Sequence, residues 1–358
     1  MITPYVKLDQ KKIDRNIIEM IDGLKKYGID HRPHVKPHKS VEIANLQLER
    51  GAIGITCATL TEVEVMAAHG FDDILLAIPL IGDDQWEKLN SILSKYPINF
   101  KTIVDSRYGI EGLNRIGMLL NQKINVLIDI DSGGHREGIQ LDDLVSFYRE
   151  VESKEFVAYN GLFTYYGHIY AYPHEEHPEK TREEAAILKE GKEVLQNIGV
   201  ESPVLSGGST GSSVNPEQLE GITESRAGNY VFYDMNAVHA GIITPDRCAL
   251  RVVAKVISKP LEGKATIDAG SKAITSDMPL KGSDFGYVVS NPELTIVKLN
   301  EEHGFVEYNP DETTVEVGEY VEIIPNHACV IPNLYHEVFV SHDNDLKPLT
   351  VDARGRKY

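Results

Sequence analysis

HRPHVK (31–36), IGITCA (53–58), DILLAI (73–78), FKTIVD (100–105) and INVLIDI (124–130) are short β-branched, apolar runs, each followed by a helix-sized stretch. VAYNGLFTY (157–165), SPVLSG (202–207) and NYVFYD (229–234) continue the pattern. The clearest helix pattern is PEKTREEAAILKEGKEVLQNI (178–198). Its acidic residues crowd the early turns, and Gly199 stands where a C′ glycine belongs. Residues 10–27 form another, with Ile13, Ile17, Ile18, Ile21 and Leu24 on one face. Eight strands alternating with helices predict a parallel (β/α)8 barrel of the TIM type. A doubly wound open sheet is the structural alternative. No GxGxxG follows the first strand, which argues against a dinucleotide fold. After about residue 240 the texture changes to short strands parted by Gly, Pro, Asn and Asp, among them ALRVVAKVISK, LTIVKLN, EYVEIIP and HEVFVSHD. This predicts a C-terminal all-β domain, dividing the chain into 1–238 and 239–358.

The composition fits a soluble globular protein: 358 residues, 42% hydrophobic and 25% charged. A net charge of −18 with no basic stripe argues against nucleic acid or an anionic membrane surface as a partner. No apolar run is long enough to span a bilayer, and MITPYVKLDQKKIDRN has no signal-peptide core. Cys57, Cys248 and Cys329 are odd in number and far apart. That argues against a disulfide framework and for a cytoplasmic setting.

Four motifs carry chemistry. His34-Val35-Lys36-Pro37-His38-Lys39 closes the first strand, at the barrel end where active sites form. A Schiff-base lysine needs a neutral amine, which neighbouring cations and partial burial favour; a basic surface loop is the bland alternative. Ser206-Gly207-Gly208-Ser209-Thr210-Gly211-Ser212 follows the seventh strand, and its glycines let the backbone approach a phosphate. Arg226-Ala227-Gly228-Asn229 lies at the eighth, and barrel enzymes often bind phosphate with these two loops. In Pro325-Asn326-His327-Ala328-Cys329, His327 and Cys329 share one side of a predicted strand. They offer two ligands to a borderline-soft metal, zinc fitting best, with open positions left for water or substrate. A structural His-x-Cys is the alternative. The segment 131–138 adds Arg136 at the barrel mouth; Tyr165, Tyr166, His168 and Tyr170 line a pocket or simply pack.

HVKPHK, the GGST turn, RAGNYVFYD and PNHAC, in this order, resemble the fold-type III pyridoxal 5'-phosphate (PLP) enzymes of the D-threonine aldolase / D-serine dehydratase group. Alanine racemases are similar more distantly. The resemblance implies a homodimer with composite active sites, and Lys36 as the cofactor lysine and the base at Cα. It implies Thr210, Gly228 and Asn229 around the cofactor phosphate, Tyr170 at the cofactor and Arg226 facing the pyridine nitrogen; the residues themselves add Gly208 in the glycine turn and Arg136 at the barrel mouth as candidate cofactor contacts. His327 and Cys329 match the metal ligands. Aldolases of the group carry an aspartate at the second ligand, with manganese or a similar ion, whereas dehydratases carry a cysteine with Zn2+, so Cys329 points to the dehydratases. Two departures stand out. Phe163 replaces a tyrosine usual near the dehydratase cofactor, and Asp268-Ala269-Gly270-Ser271-Lys272 lacks the second catalytic tyrosine of racemases.

The expected activity is therefore a lyase acting on a small-molecule D-3-hydroxy amino acid. D-serine dehydration to a 2-oxo acid and ammonia leads, and a D-threonine aldolase is the alternative. An amino acid racemase, a non-catalytic PLP carrier and a metal-dependent barrel hydrolase rank below these.

Overall fold

A computed structural model describes residues 1–343 and 345–356. It divides into two compact units. One comprises residues 19–36 and 43–228 with Arg356; the other comprises 1–18, 37–42 and 229–355.

The first unit is built on an eight-stranded parallel sheet. Its strands are Asp30–His31, Ile55–Cys57, Asp73–Pro79, Asn99–Val104, Ile124–Asp129, Val157–Phe163, Val204–Gly207 and Glu224–Ser225. The eighth pairs with both the seventh and the first. A parallel bridge between His34 and Thr56 joins the first to the second and closes the ring. Thr56 N donates to the Pro33 carbonyl at 2.9 Å, and Val35 N donates to the Thr56 carbonyl at 2.9 Å. Side chains fill the interior, as in barrels of this type: Leu75, Ile103, Leu127 and Phe163 form one buried cluster. The (β/α)8 expectation holds.

Two strands differ from their predicted places. The first is shorter than 31–36, because Pro33 has no N–H to give the ladder. The eighth is Glu224–Ser225, upstream of NYVFYD. NYVFYD opens with a 3-10 turn, Asn229–Val231. Tyr230, Val231 and Phe232 are all fully buried, so the run has the continuous apolar texture of a buried parallel strand although it does not form one. The true strand escapes the apolar-run criterion because it is polar. The long helices match more closely, at Gln10–Lys25 and His177–Gln196, although Ile18 is exposed.

Buried charge ties the barrel together. Arg32 donates from Nε to Glu224 at 2.9 Å and from Nη1 to Asp73 at 2.5 Å, and Lys101 reaches Asp73 at 2.8 Å. Glu224 also accepts from the Ser206 hydroxyl at 2.7 Å. Removing one partner of such a buried pair leaves the other charge uncompensated. Arg32→Ala is expected to destabilise the protein by about 3–5 kcal/mol, read from a urea unfolding curve. A loss below about 1 kcal/mol would mean the pair contributes no more than a surface one.

The second unit holds a nine-stranded sheet that includes the N-terminal strand Tyr5–Asp9. That strand pairs antiparallel with Leu250–Leu261 and parallel with Glu337–His342. Six strands close on themselves into an antiparallel barrel, because Leu250–Leu261 pairs with both Lys264–Ile267 and Tyr320–Ile324. The predicted C-terminal β character holds, with two four-residue helices added, Ser271–Ile274 and Ile331–Leu334. Among the described residues, no helix is long and apolar enough to cross a membrane.

Candidate active site

The barrel unit gathers its chemistry at the C-terminal ends of its strands. Lys36 lies two residues past the closing His34 bridge and is half-buried. Its backbone N donates to His34 Nδ1 at 3.4 Å. Its Nζ stands 5.8 Å from the centre of the Tyr165 ring, and the Arg136 guanidinium stands 4.6 Å from the same ring. Tyr165 therefore holds both cations at one mouth. Arg136 also pairs with Glu137.

The Arg136 loop is tied by Asp131, which accepts from the backbone N of Gly133 and of His135 at 3.0 Å each. It packs beside Tyr165, Gly167 and His168 around a cavity of about 180 Å3. Asp129 lines this cavity at the end of the fifth strand, and its Oδ2 has no hydrogen-bond partner among the described residues. Burial and the nearby Glu137 push its carboxyl up to about 8; Arg226 opposes them, Asp105 adds to them and Arg136 again opposes. Unfolded, the same group titrates near ~3.9. Between these values the native state binds the extra proton, so this group makes stability fall as pH rises from about 4 to about 8. Asp129→Asn should flatten that slope, measured as urea midpoints at about pH 5 and about pH 8. An unchanged pH dependence would show that Asp129 does not hold a proton.

The glycine turn forms a tight cradle. Gly208 has φ +78°, and a Cβ there would lie 2.8 Å from Ser213 Oγ and 2.9 Å from Ser225 Oγ. Only glycine meets both conditions. Ser209 caps the short helix Thr210–Ser213, and Thr210 is buried at its start. A Cβ on Gly211 would meet the Tyr170 ring at 3.4 Å, which places Tyr170 against this turn.

Arg226 is buried, donating from Nη1 to Ser206 Oγ at 2.7 Å and from Nη2 to the Thr164 carbonyl at 2.5 Å. Its guanidinium lies 3.6 Å over the Phe163 ring. Burial pushes its pKa down to about 10, with Glu224, Glu184 and Asp129 opposing, so it stays charged near neutral pH. Phe163 thus supports the guanidinium with its ring face. Gly228, also buried, ends this unit.

The second unit carries the other candidates. Tyr320–Ile324 ends before PNHAC, so His327 and Cys329 do not share a strand face. His327 is extended and Cys329 sits in the 3-10 turn Ala328–Val330. The turn still brings them together: the Cys329 thiol, hydrogen-bonded to the ring, pushes the His327 pKa up to about 9, against burial and with Asp234 and Asp277 assisting. His327 Nδ1 lies 3.0 Å from Asp277 Oδ2. A carboxylate on one ring nitrogen is the usual support for a metal-ligating histidine. Among the described residues no group of three or more His, Cys, Asp or Glu could hold a metal. A metal held by this pair alone would keep open positions, and its uptake would displace the ring proton. Asn229 is half-buried; its Nδ2 donates to Asp234 Oδ2 at 2.8 Å, and its Oδ1 has no partner among the described residues.

Residues 8–236, more than half of the chain, match the family model “Alanine racemase, N-terminal domain”. The chain belongs to that family. Residues 249–341 of this family member match “Putative serine dehydratase domain”. A D-threo-3-hydroxyaspartate dehydratase of Delftia sp. (strain HT23) is 32% identical over 91% of the chain and 90% of its own length. A D-threonine aldolase of Arthrobacter sp is 28% identical over 99% and 93%. A D-serine dehydratase of Dictyostelium discoideum is 28% identical over 96% and 94%. The solved Delftia dehydratase superposes with a TM-score of 0.91 at 29% identity, covering 98% of this chain and 97% of that one. A cysteine-to-alanine variant of a D-threo-3-hydroxyaspartate dehydratase has been solved in a metal-free form. An alanine racemase of Clostridium difficile 630 shares the fold, with a TM-score of 0.72 at 16% identity, covering 98% and 99%.

Sequence reasoning did not single out Asp129, Asp234 or Asp277. A charged residue ending the apolar run INVLID marks Asp129, and an Asp three residues before the helical Ala237 marks Asp234 as a cap. Nothing local marks Asp277, which meets His327 from 50 residues away.

Proposed function

We propose that this chain is a PLP- and metal-dependent lyase that removes the β-hydroxyl of a D-3-hydroxy amino acid, giving a 2-oxo acid and ammonia. One observation carries the reading: the His327–Cys329 pair with Asp277 on Nδ1. A lyase that acts at a β-hydroxyl gains from an electrophile placed there, and a racemase or a PLP carrier has no such group to activate. Residues 1–238 supply the cofactor side and 239–358 the metal side.

PLP, when bound, would supply an electron sink for Cα, and zinc would supply a Lewis acid for the β-hydroxyl. The chain's own residues do the rest. Lys36 would hold the cofactor through Nζ, and the same amine, when free, would accept the Cα proton. Gly208, Thr210, Gly228 and Asn229 hold the phosphate through backbone N–H groups, a hydroxyl and an amide. Tyr170 packs beside the glycine turn, and Arg136 at the barrel mouth would supply a positive charge to the cofactor. Arg226, fixed by Ser206 and Thr164, presents a positive charge to the pyridine nitrogen. His327 and Cys329 hold the metal, and a reducing, cytoplasmic compartment keeps that thiol competent. The working form is a homodimer.

The test is product analysis with PLP and Zn2+ present, using D-serine, D-threo-3-hydroxyaspartate and D-threonine. Equimolar 2-oxo acid and ammonia are expected. Glycine with an aldehyde would replace the dehydratase with the aldolase, the second reading that the Arthrobacter relative favours. Inversion at Cα alone, or no turnover, would overturn the lyase.

A further inference from the structure

We infer that Asp234 is a positioning residue that joins the cofactor-phosphate contact Asn229 to the metal-ligand turn 327–329, so that cofactor and metal affinities depend on one another. The inference rests on the lyase reading above and adds a residue to it. Asp234 is fully buried and receives three hydrogen bonds. Its Oδ2 accepts from Asn229 Nδ2 at 2.8 Å and from the backbone N of Ala328 at 2.9 Å. Its Oδ1 accepts from the backbone N of Ala237 at 3.0 Å, capping the helix Met235–His239.

Ala328 lies between the two metal ligands, so its N–H sets where the His327 and Cys329 backbones run. One carboxylate oxygen therefore fixes both that N–H and the side chain of Asn229. The strands of chain on either side are stitched further: Met235 N donates to the Pro325 carbonyl and Asn236 N to the Asn326 carbonyl, each at 3.1 Å. A helix cap alone needs only Oδ1. The contacts on Oδ2 exceed that need and lead to the two ligand sites. All three neighbours are donors, so the position calls for a group that only accepts.

A contiguous network of this kind makes two ligands mutually dependent, and the dependence is reciprocal. Supports of metal ligands typically carry about 10–100-fold in metal affinity. Asp234→Ser keeps a capping oxygen for Ala237 but is too short to hold Asn229 and Ala328. Asp234→Asn keeps the length and one carbonyl oxygen, which can still serve Asn229 and Ala328.

The experiment titrates Co2+ into the full chain, with and without PLP, following the thiolate-to-cobalt absorbance, and measures PLP retention by equilibrium dialysis. In the wild type, PLP is expected to tighten Co2+ binding several-fold, and pyridoxal lacking the phosphate to do so less. Asp234→Ser should weaken Co2+ by about 10-fold or more, weaken PLP retention, and abolish the mutual effect. Asp234→Asn should restore most of both affinities. A wild type whose Co2+ affinity ignores PLP would overturn the inference even if Asp234→Ser fails to fold. Unchanged Co2+ and PLP affinities in a folded Asp234→Ser would overturn it while leaving the lyase reading intact. A wild type that binds no Co2+ would remove the metal reading and this inference together.

Discussion

Lys36→Ala is expected to give a folded protein that lacks the visible band of lysine-bound cofactor near ~420 nm and turns over about 10⁴-fold more slowly or worse. The size follows from two roles lost at once. On the proposed reading the amine serves as both the covalent anchor and the proton acceptor at Cα. Folding should survive, because Lys36 is half-buried and its contact with the Tyr165 ring, at 5.8 Å, contributes about 0.5–1 kcal/mol. Retained PLP should now be lost on dialysis. A band that persists through dialysis would move the anchor elsewhere. Lys39 is the first alternative in sequence, although it is buried with φ +52° and its carbonyl accepts from Ala353 N.

Cys329→Ala should have the second-largest effect. On the proposed reading it removes one of the two residues that would hold the metal, so the metal should leave while the cofactor band stays. Losing a Lewis acid costs several kcal/mol in the transition state, or about 10²–10⁴-fold in kcat. Stability should barely change, since the thiol is only half-buried. Metal content by atomic absorption, alongside the visible spectrum, separates the two cofactors. Full activity in the metal-stripped variant would rule out the metal's role. Cys329→Asp replaces a soft donor with a hard one and should shift preference from zinc toward manganese.

Much of the fold was legible because buried parallel strands are apolar runs and the helices between them carry a clear stripe. Seven of the eight barrel strands overlap their predicted runs; Glu224–Ser225 does not, since its stability comes from Arg32 and two flanking ladders. The N-terminal strand Tyr5–Asp9 was equally hidden, because its partners begin 245 residues later in the sequence. Motif order pointed to Lys36, the glycine turn and Arg226 because their backbone context is local. The supporting groups were not legible for the opposite reason. Asp277 and Asp234 meet the His327 turn across long stretches of chain, and only folding brings them there. His327 and Cys329 converge through a 3-10 turn where a strand was expected, so the pair was visible and its geometry was not.

The central claim is that Lys36 carries the cofactor of this lyase. Borohydride reduction of the PLP-loaded protein, followed by proteolysis and mass spectrometry, tests it most directly, because reduction makes the lysine–cofactor bond permanent. The phosphopyridoxyl mass is expected on the peptide containing HVKPHK, at Lys36, in one copy per chain. Label on another lysine, or none after loading with PLP, would contradict it.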